Sequence, residues 1–136
     1  MVSTAQESQG TVIRFVHALV EQRFDDARSL LHDDLVVYEP GGLPFSGEYR
    51  GPQGFFELLG KIGEVLGLAL DPGIQYFVAN DTVAMRSRMK FTLRGSDRSV
   101  KVGLVEIFTI RDGLIAELDV YYKDPSAVAA LLEASS

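Results

Sequence analysis

Two glutamates stand on strand faces that are otherwise apolar. Alternation along one predicted strand places Glu106 on a face with five apolar residues, which are Val100, Val102, Leu104, Phe108 and Ile110. A carboxylate on a covered face is costly unless it is paired, hydrogen-bonded or protonated, so we interpret Glu106 as part of a pocket. Two alternatives remain, because Val105 and Ile107 make the opposite face apolar too. Glu106 would then face water or pair with an arginine.

Glu39 closes a second apolar face at the end of a predicted strand. Leu35 and Val37 precede it at two-residue spacing, and Pro40 follows it directly. Strand ends beside loops often carry functional groups, although a solvated strand end has the same pattern. Two carboxyls in one partly apolar cavity cannot both ionise cheaply, so a shared pocket would make one of them an acid and the other a base.

Other kinds of reactive site find little support. The chain has no cysteine, and its two histidines, His17 and His32, are interpreted as surface residues without a spacing that joins them to carboxylates. Neither a G-x-S-x-G turn nor a glycine-rich phosphate loop occurs. We therefore expect no metal site and no cofactor.

Composition narrows the class of protein. The 136 residues are 46% apolar and carry a formal net charge of −6, which fits one domain over residues 1–136 with its own core. No signal peptide is visible, and no apolar run approaches the roughly 18 residues of a membrane span. We expect a soluble, cytoplasmic protein that does not bind nucleic acid, since the basic row Arg86, Arg88 and Lys90 is typical of a solvated strand face.

The first half of the chain is predicted to contain three helices and one strand. Capping boxes at Ser3-x-x-Gln6 and Thr4-x-x-Glu7 start a helix over about residues 4–21. The other predicted elements are a short helix from Asp25 through Leu31, a strand over residues 35–39, a loop over residues 40–50, and a helix that opens at Gly51-Pro52 with an apolar stripe to Leu66.

The second half changes to the two-residue period of strands. Turn signals at Asn80-Asp81, Gly95-Ser96-Asp97 and Asp112-Gly113 separate the strands of an antiparallel meander. Asp124-Pro125 then supplies a cap and a first-turn proline for a closing helix. These patterns predict an α+β fold with helices on one long curved sheet.

The order of elements, the pair Glu39-Pro40, the segment Val105-Glu106-Ile107-Phe108 before the Asp112-Gly113 turn, and the ending Tyr121-Tyr122-Lys123-Asp124-Pro125 resemble one superfamily. The chain resembles nuclear-transport-factor-2-like proteins, and within them ketosteroid isomerases and SnoaL-like polyketide cyclases. The resemblance implies a cone-shaped mixed sheet, with three N-terminal helices on its concave face and a short C-terminal helix. Its functions range from isomerases and cyclases to noncatalytic adaptors.

The resemblance also implies roles for individual residues. Glu39-Pro40 matches the Asp-Pro pair that carries the base of ketosteroid isomerases, and Glu106 matches their protonated oxyanion-site acid. Phe15 stands where those isomerases have a tyrosine, so it is expected to be a pocket wall. The inner-face positions that hold an arginine and two aspartates in limonene-epoxide hydrolases carry Ser87, Met89 and Val120, so that chemistry is not expected.

Together these observations predict an enzyme that moves a proton next to a carbonyl in a hydrophobic small molecule, as an isomerase or a polyketide cyclase does. The predicted pocket walls are Phe15, Leu58, Met85, Met89, Leu104, Val120 and Tyr122. The loop over residues 40–50 is a candidate lid. The alternative is a noncatalytic binder or adaptor of the same fold. A homodimer is expected in either case, with Val105 and Ile107 at its interface.

Overall fold

The computed structural model describes residues 4–134 and contains four helices and seven strands in that range. The elements are α1 (Ala5–Val20), α2 (Phe24–Ser29), β1 (Leu31–Glu39), β2 (Gly47–Arg50), α3 (Gly51–Val65), β3 (Leu66–Leu70), β4 (Gln75–Ala79), β5 (Thr82–Leu93), β6 (Ser99–Arg111), β7 (Leu114–Tyr122) and α4 (Pro125–Glu133). This confirms the predicted α+β class, with three helices before the meander and one after it.

One mixed sheet contains all seven strands. Its order is β2-β1-β7-β6-β5-β3, and β4 also pairs with β5. Only the β1–β7 pair is parallel among the strand pairs of residues 4–134. Strands β4 and β3 share one edge of β5: β4 covers residues 82–86 and β3 covers residues 89–93.

The helices cover the inner face of this sheet. Helix α1 contacts β4, β5 and β7, α3 contacts β1, β2 and β3, and α4 contacts β5 and β6. Phe15 on α1 packs against Phe55 on α3 and Phe108 on β6, with ring centroids 5.4 and 6.2 Å apart. Within residues 4–134, the helices are too short or too polar to cross a membrane.

The predicted starts of α1, α3 and α4 are confirmed, whereas α2 begins at Phe24 with Arg23 as its N-cap, so Asp25 lies inside that helix and does not cap it. Thr4 caps α1 through the backbone N–H of Glu7, whose side chain in turn accepts from the N–H of Thr4. The Ser3 capping box begins outside the described residues. Asp124 caps α4 at the backbone N–H of Ala127, with Pro125 as the first helical residue.

The region after α2 differs from the prediction. The second helix ends at Ser29, and Leu31 belongs to β1, where it pairs in parallel with Ile115. The backbone N–H of Ile115 also donates to the carbonyl of Leu30, so pairing with β7 extends the strand four residues further toward the N-terminus than predicted. His32 therefore lies on β1, half-buried and 3.3 Å from Asp112, rather than at the surface.

Two strands were absent from the prediction. Strand β2 lies inside the predicted loop and pairs with the end of β1, so that Gly47 faces Glu39. Strand β3 begins at Leu66, which the helical stripe had assigned to the third helix. Leu66 pairs with Leu93 on β5, and this tertiary pairing overrides a local spacing that also fits a helix.

A one-residue irregularity in β7 decides which side chains face inward. The hairpin begins with Arg111 opposite Leu114, at a turn where both Asp112 and Gly113 have positive φ. The register then shifts between Thr109 and Ile110, and Glu106 comes to face Val120. Without that shift the hairpin would place Asp119 opposite Glu106, with its side chain on the inner face.

Candidate functional site

A row of side chains crosses the inner face of four strands. Tyr76 on β4 faces Met85 on β5, Met85 faces Glu106 on β6, and Glu106 faces Val120 on β7. Directly paired residues point to the same face of a sheet, so these four side chains lie side by side. The row joins residues that are up to 44 positions apart in the sequence, from Tyr76 to Val120.

Glu39 extends this row on the far side of β7. Tyr38 pairs with Asp119 in the parallel register, so the next residues, Glu39 and Val120, are neighbours. Glu39 and Glu106 therefore flank Val120 on opposite sides. Two strand spacings separate their backbones by roughly 10 Å, a distance that two glutamate side chains on a concave face can largely span.

Glu39 is buried and has one hydrogen-bond donor. Its exposed fraction is 9%, and Oε1 accepts a hydrogen bond of 3.3 Å from the hydroxyl of Tyr122. The ring of Tyr122 lies against Phe91, with centroids 5.8 Å apart. Glu39 is thus the hydrogen-bond partner of the Tyr122 hydroxyl.

Glu106 has no comparable partner. Its side chain is half-buried, and within residues 4–134 no hydrogen bond or ion pair to it is formed. The arginine pairing that the sequence left open is therefore not formed with any residue that the structure describes. Glu106 keeps an unpaired carboxyl on the inner face, between Met85 and Val120.

Burial changes the protonation of both carboxyls. Loss of solvent raises the pKa of Glu39 to about 8, with a further contribution from the charge of Glu106, while the Tyr122 hydrogen bond opposes the rise. Loss of solvent raises the pKa of Glu106 to about 7. The two groups are coupled, and between those values the pair holds about one proton.

Two physical effects compete over where that single proton resides. Desolvation and the charge of Glu106 favour the neutral form of Glu39, whereas the Tyr122 hydroxyl donates best to the ionised form of Glu39. Only the neutral form of Glu106 can donate a hydrogen bond. A bound group that accepts a hydrogen bond at Glu106 would therefore select the arrangement with the proton on Glu106 and the charge on Glu39.

The predicted apolar walls occupy different parts of the inner face. Met85 and Val120 flank Glu106, Leu104 lies opposite Tyr122, and Met89 is half-buried further along β5. Phe15 packs against Phe108, which lies two residues after Glu106 on β6. Leu58 is buried on α3, and its place in the pocket wall stays a prediction.

Sequence reasoning missed Tyr76 as a neighbour of Glu106. Burial and the charge of Glu106 raise the pKa of the Tyr76 phenol. The tight turn at Asn80-Asp81 was the available signal, because pairing Ala79 with Thr82 places Tyr76 opposite Met85. Tyr122, which bonds to Glu39, was predicted as a site residue, whereas Tyr76, on the other side of Glu106, was not.

Other parts of the surface offer less chemistry. A groove of about 440 Å³ lies along the start of α1, lined by Gln6, Glu7, Gly10, Thr11, Arg14 and Gly113, and it does not include either inner-face glutamate. Within residues 4–134, no three His, Asp or Glu side chains are grouped so that they could hold a metal ion.

Comparison with solved structures gives the same fold. A nuclear-transport-factor-2-like protein from Burkholderia xenovorans is 20% identical over 100% of both chains, with a TM-score of 0.83. TerC, co-crystallised with polyporic acid, is 22% identical over 93% of this chain and 98% of its own, with a TM-score of 0.82. A proposed polyketide cyclase from Xanthomonas campestris is 19% identical over 96% and 99%, with a TM-score of 0.81.

The sequence comparisons identify the family. No curated protein matches the chain. The family profile described as a SnoaL-like domain matches residues 12–118, a range that includes both glutamates and most of the sheet. The chain therefore belongs to the SnoaL-like domain family.

Proposed function

We propose that this protein catalyses proton transfer at the carbon next to a carbonyl in a hydrophobic small molecule, as an isomerase or a polyketide cyclase does. The observation that carries the proposal is the pair of coupled carboxyls, Glu39 and Glu106, on one apolar inner face. Apolar faces do not retain two such groups for packing, since burial of an acid opposes folding. Perturbed acids of this kind cluster at functional sites.

In the proposed reaction, Glu39 is the general base. Its carboxylate, oriented by the Tyr122 hydroxyl at 3.3 Å, takes the proton from the carbon next to the carbonyl. The electron pair of that C–H bond moves into the carbonyl, and negative charge develops on the carbonyl oxygen. Glu106 in its neutral form donates a hydrogen bond to this oxygen and stabilises the charge. Glu39 then returns the proton to the same or another carbon.

The apolar surroundings and the related structures support a hydrophobic substrate. Met85 and Val120, the neighbours of Glu106, are buried. TerC was co-crystallised with polyporic acid, a small molecule, and another protein of this fold is a proposed polyketide cyclase. The proposal does not include steroid isomerisation by the full set of isomerase residues, because Phe15 has no hydroxyl to donate where those enzymes have a tyrosine.

We also propose that two copies of the chain form a homodimer through the outer sheet face. Phe77 and Ile107 belong to one row on that face, through Ala84, and Val105 pairs with Tyr121 in a neighbouring row. Phe77 and Tyr121 are 54% and 51% exposed, so the patch offers apolar area to a second copy.

Proton exchange tests the reaction without knowledge of the natural substrate. The protein is incubated in D₂O with a set of apolar ketones that includes 2-tetralone, and deuterium uptake next to the carbonyl is measured by mass spectrometry. We expect wild type to accelerate uptake and Glu39→Gln to lose about 100- to 10,000-fold of that rate, the usual contribution of a general base.

Glu48→Gln is the matched control, because Glu48 is an exposed carboxylate paired with Arg50 and should not affect exchange. A Glu39→Gln variant that exchanges as fast as wild type would remove Glu39 from the reaction. Binding of the ketones without any exchange in wild type would favour the noncatalytic alternative.

A further inference from the structure

Ser87 is a buried polar side chain on the same inner face as the two glutamates. The proposed reaction does not use it. Its exposed fraction is 6%, and its hydroxyl has no hydrogen-bond partner in the part of the chain that the structure describes. A buried hydroxyl without a partner destabilises a fold relative to a satisfied one. Such a group in a native protein calls for an explanation, and a ligand that completes it is one.

Ser87 is adjacent to the acid site. It pairs with Leu104 on β6, while Met85, two residues earlier on β5, pairs with Glu106. Ser87 and Glu106 are therefore diagonal neighbours across two antiparallel strands, at a Cα separation of roughly 7–8 Å. Both side chains belong to the face that also carries Tyr122, the partner of Leu104.

Ser87 lies beside the gap between the two strands that pair with the edge of β5. Pairing of β5 with β4 ends at Arg86, and pairing of β5 with β3 begins at Met89. Ser87 thus lies at a break in the edge pairing, with Met85 and Met89 as its neighbours along the same face. Methionine side chains are unbranched and adapt readily, so they can shift to admit a ligand atom to the hydroxyl.

We propose that Ser87 binds a second oxygen of the substrate, a hydroxyl or a carbonyl, while Glu106 binds the first. The substrate class is thereby narrowed to apolar compounds that carry two oxygen groups on one edge, held at two diagonal positions of the sheet. The Ser87 hydroxyl can donate to a carbonyl or accept from a hydroxyl, so either kind of oxygen fits. This inference rests on the proposed function, because Glu106 supplies the first contact.

The test compares two probes of the same ring system. 2-Naphthol carries one hydroxyl, and 2,7-dihydroxynaphthalene carries a second hydroxyl on the same edge. Their own fluorescence reports binding, and the chain has no tryptophan to interfere. We expect Ser87→Ala to weaken the dihydroxy probe about threefold to tenfold, the value of one net hydrogen bond, and to leave 2-naphthol within about twofold.

Ser8→Ala is the matched control. Ser8 on α1 is the other buried hydroxyl without a partner in the described residues, and it is not on the sheet. Its removal should change the affinity of neither probe. Equal effects of Ser87→Ala on both probes, or no effect on either, would overturn the inference.

Two further readouts keep the proposals apart. Ser87→Ala should leave the denaturant midpoint unchanged or raise it, whereas a lower midpoint would reveal an internal partner for the hydroxyl and would also overturn the inference. Glu106→Leu should weaken both probes, because Glu106 binds the first oxygen and a leucine side chain can neither donate nor accept a hydrogen bond. If Glu106→Leu changes neither affinity, or if wild type binds neither probe, the inference is overturned, whereas deuterium exchange into the ketones decides the proposed function separately.

Discussion

At the scale of single residues, the protein retains two acids on a face that apolar side chains would fill at lower cost. Glu39 is 9% exposed and has one donor, the Tyr122 hydroxyl, and Glu106 has none among the described residues. Their ionisation is therefore linked to folding, since each carboxyl is stabilised in its neutral form inside and in its charged form in the unfolded chain.

This linkage gives a pH dependence of definite sign. Folding raises the pKa of Glu39 from 4.5 to about 8 and that of Glu106 from 4.5 to about 7. Between those limits the folded protein holds protons that the unfolded chain has released. The stability that these groups contribute is fully present below pH 4.5 and is lost as the pH rises through 7 and 8.

We expect the free energy of unfolding to fall by roughly 1–3 kcal/mol per pH unit, most steeply between about pH 5.5 and 6.5, where the unfolded chain has released both protons and the folded protein retains them. Denaturant titrations at several pH values measure it. The double variant Glu39→Gln with Glu106→Gln should lose most of the slope, because an amide does not titrate, and Glu48→Gln should retain it. Stability that rises between pH 5.5 and 7.5 would contradict the assignment.

The sequence predicted part of the site for a clear physical reason. Alternation alone placed Glu106 on an apolar face, because period two is a local property of a strand. The neighbours of Glu106 on other strands depend on hairpin register. The bulge in β7 shifts that register by one residue, and no local pattern around Glu106 reveals the shift.

At the scale of elements, the segment between β1 and β2 holds the end of β1 against the core. Leu43 and Phe45 are 7% and 2% exposed, so this segment packs inward immediately after Glu39. The hydroxyl of Tyr49 on β2 donates to the carbonyl of Phe45 at 2.8 Å. The predicted lid thus has a fixed attachment at its second end, and its lid role stays a prediction.

Removal of that attachment should loosen the segment. We expect Tyr49→Phe to lower the free energy of unfolding by about 1 kcal/mol, the net value of one buried hydrogen bond. Tyr38→Phe is the matched control, since Tyr38 on β1 forms no side-chain hydrogen bond within the described residues. Chemical denaturation measures both variants, and equal losses would show that the hydrogen bond from Tyr49 to Phe45 adds no stability of its own.

The two strands that the sequence did not predict, β2 and β3, are defined by the strands with which they pair. Strand β2 has four residues and exists through its pairing with β1, and β3 is bound to β5 at one edge of the sheet. Helices α1 and α4 were predicted correctly, because their caps at Thr4 and Asp124 are local signals. The missed strands depend on long-range pairing, whereas the correctly predicted helices are set by local signals.

At the scale of the whole molecule, the outer sheet face is the surface through which we expect two copies to form a dimer. It combines half-buried Ile107 and Val105 with exposed Phe77 and Tyr121. We expect size-exclusion chromatography with light scattering to give the mass of a dimer, twice 14.9 kDa, at micromolar concentration. Ile107→Asp should shift the mass to the monomer without loss of fold, and a wild-type monomer would contradict this interface.

The formal net charge of −6 also differs from the charge that the folded protein carries. It counts every carboxylate as ionised, whereas Glu39 and Glu106 together hold about one proton near neutral pH. Most other carboxylates serve the surface or the helix caps, as Asp124 does. Glu39 and Glu106 are the exceptions, and the fold brings them to opposite sides of Val120.

Carbon-13 NMR of the glutamate side-chain carboxyls across pH shows whether Glu39 and Glu106 form one coupled acid pair. We expect two carboxyl signals that titrate well above 4.5, in the region of 7 and 8, and each signal should move when the other glutamate is changed to Gln. If Glu106 titrates near 4.5 and does not respond to Glu39→Gln, the carboxyls do not share a site and no coupled acid pair exists.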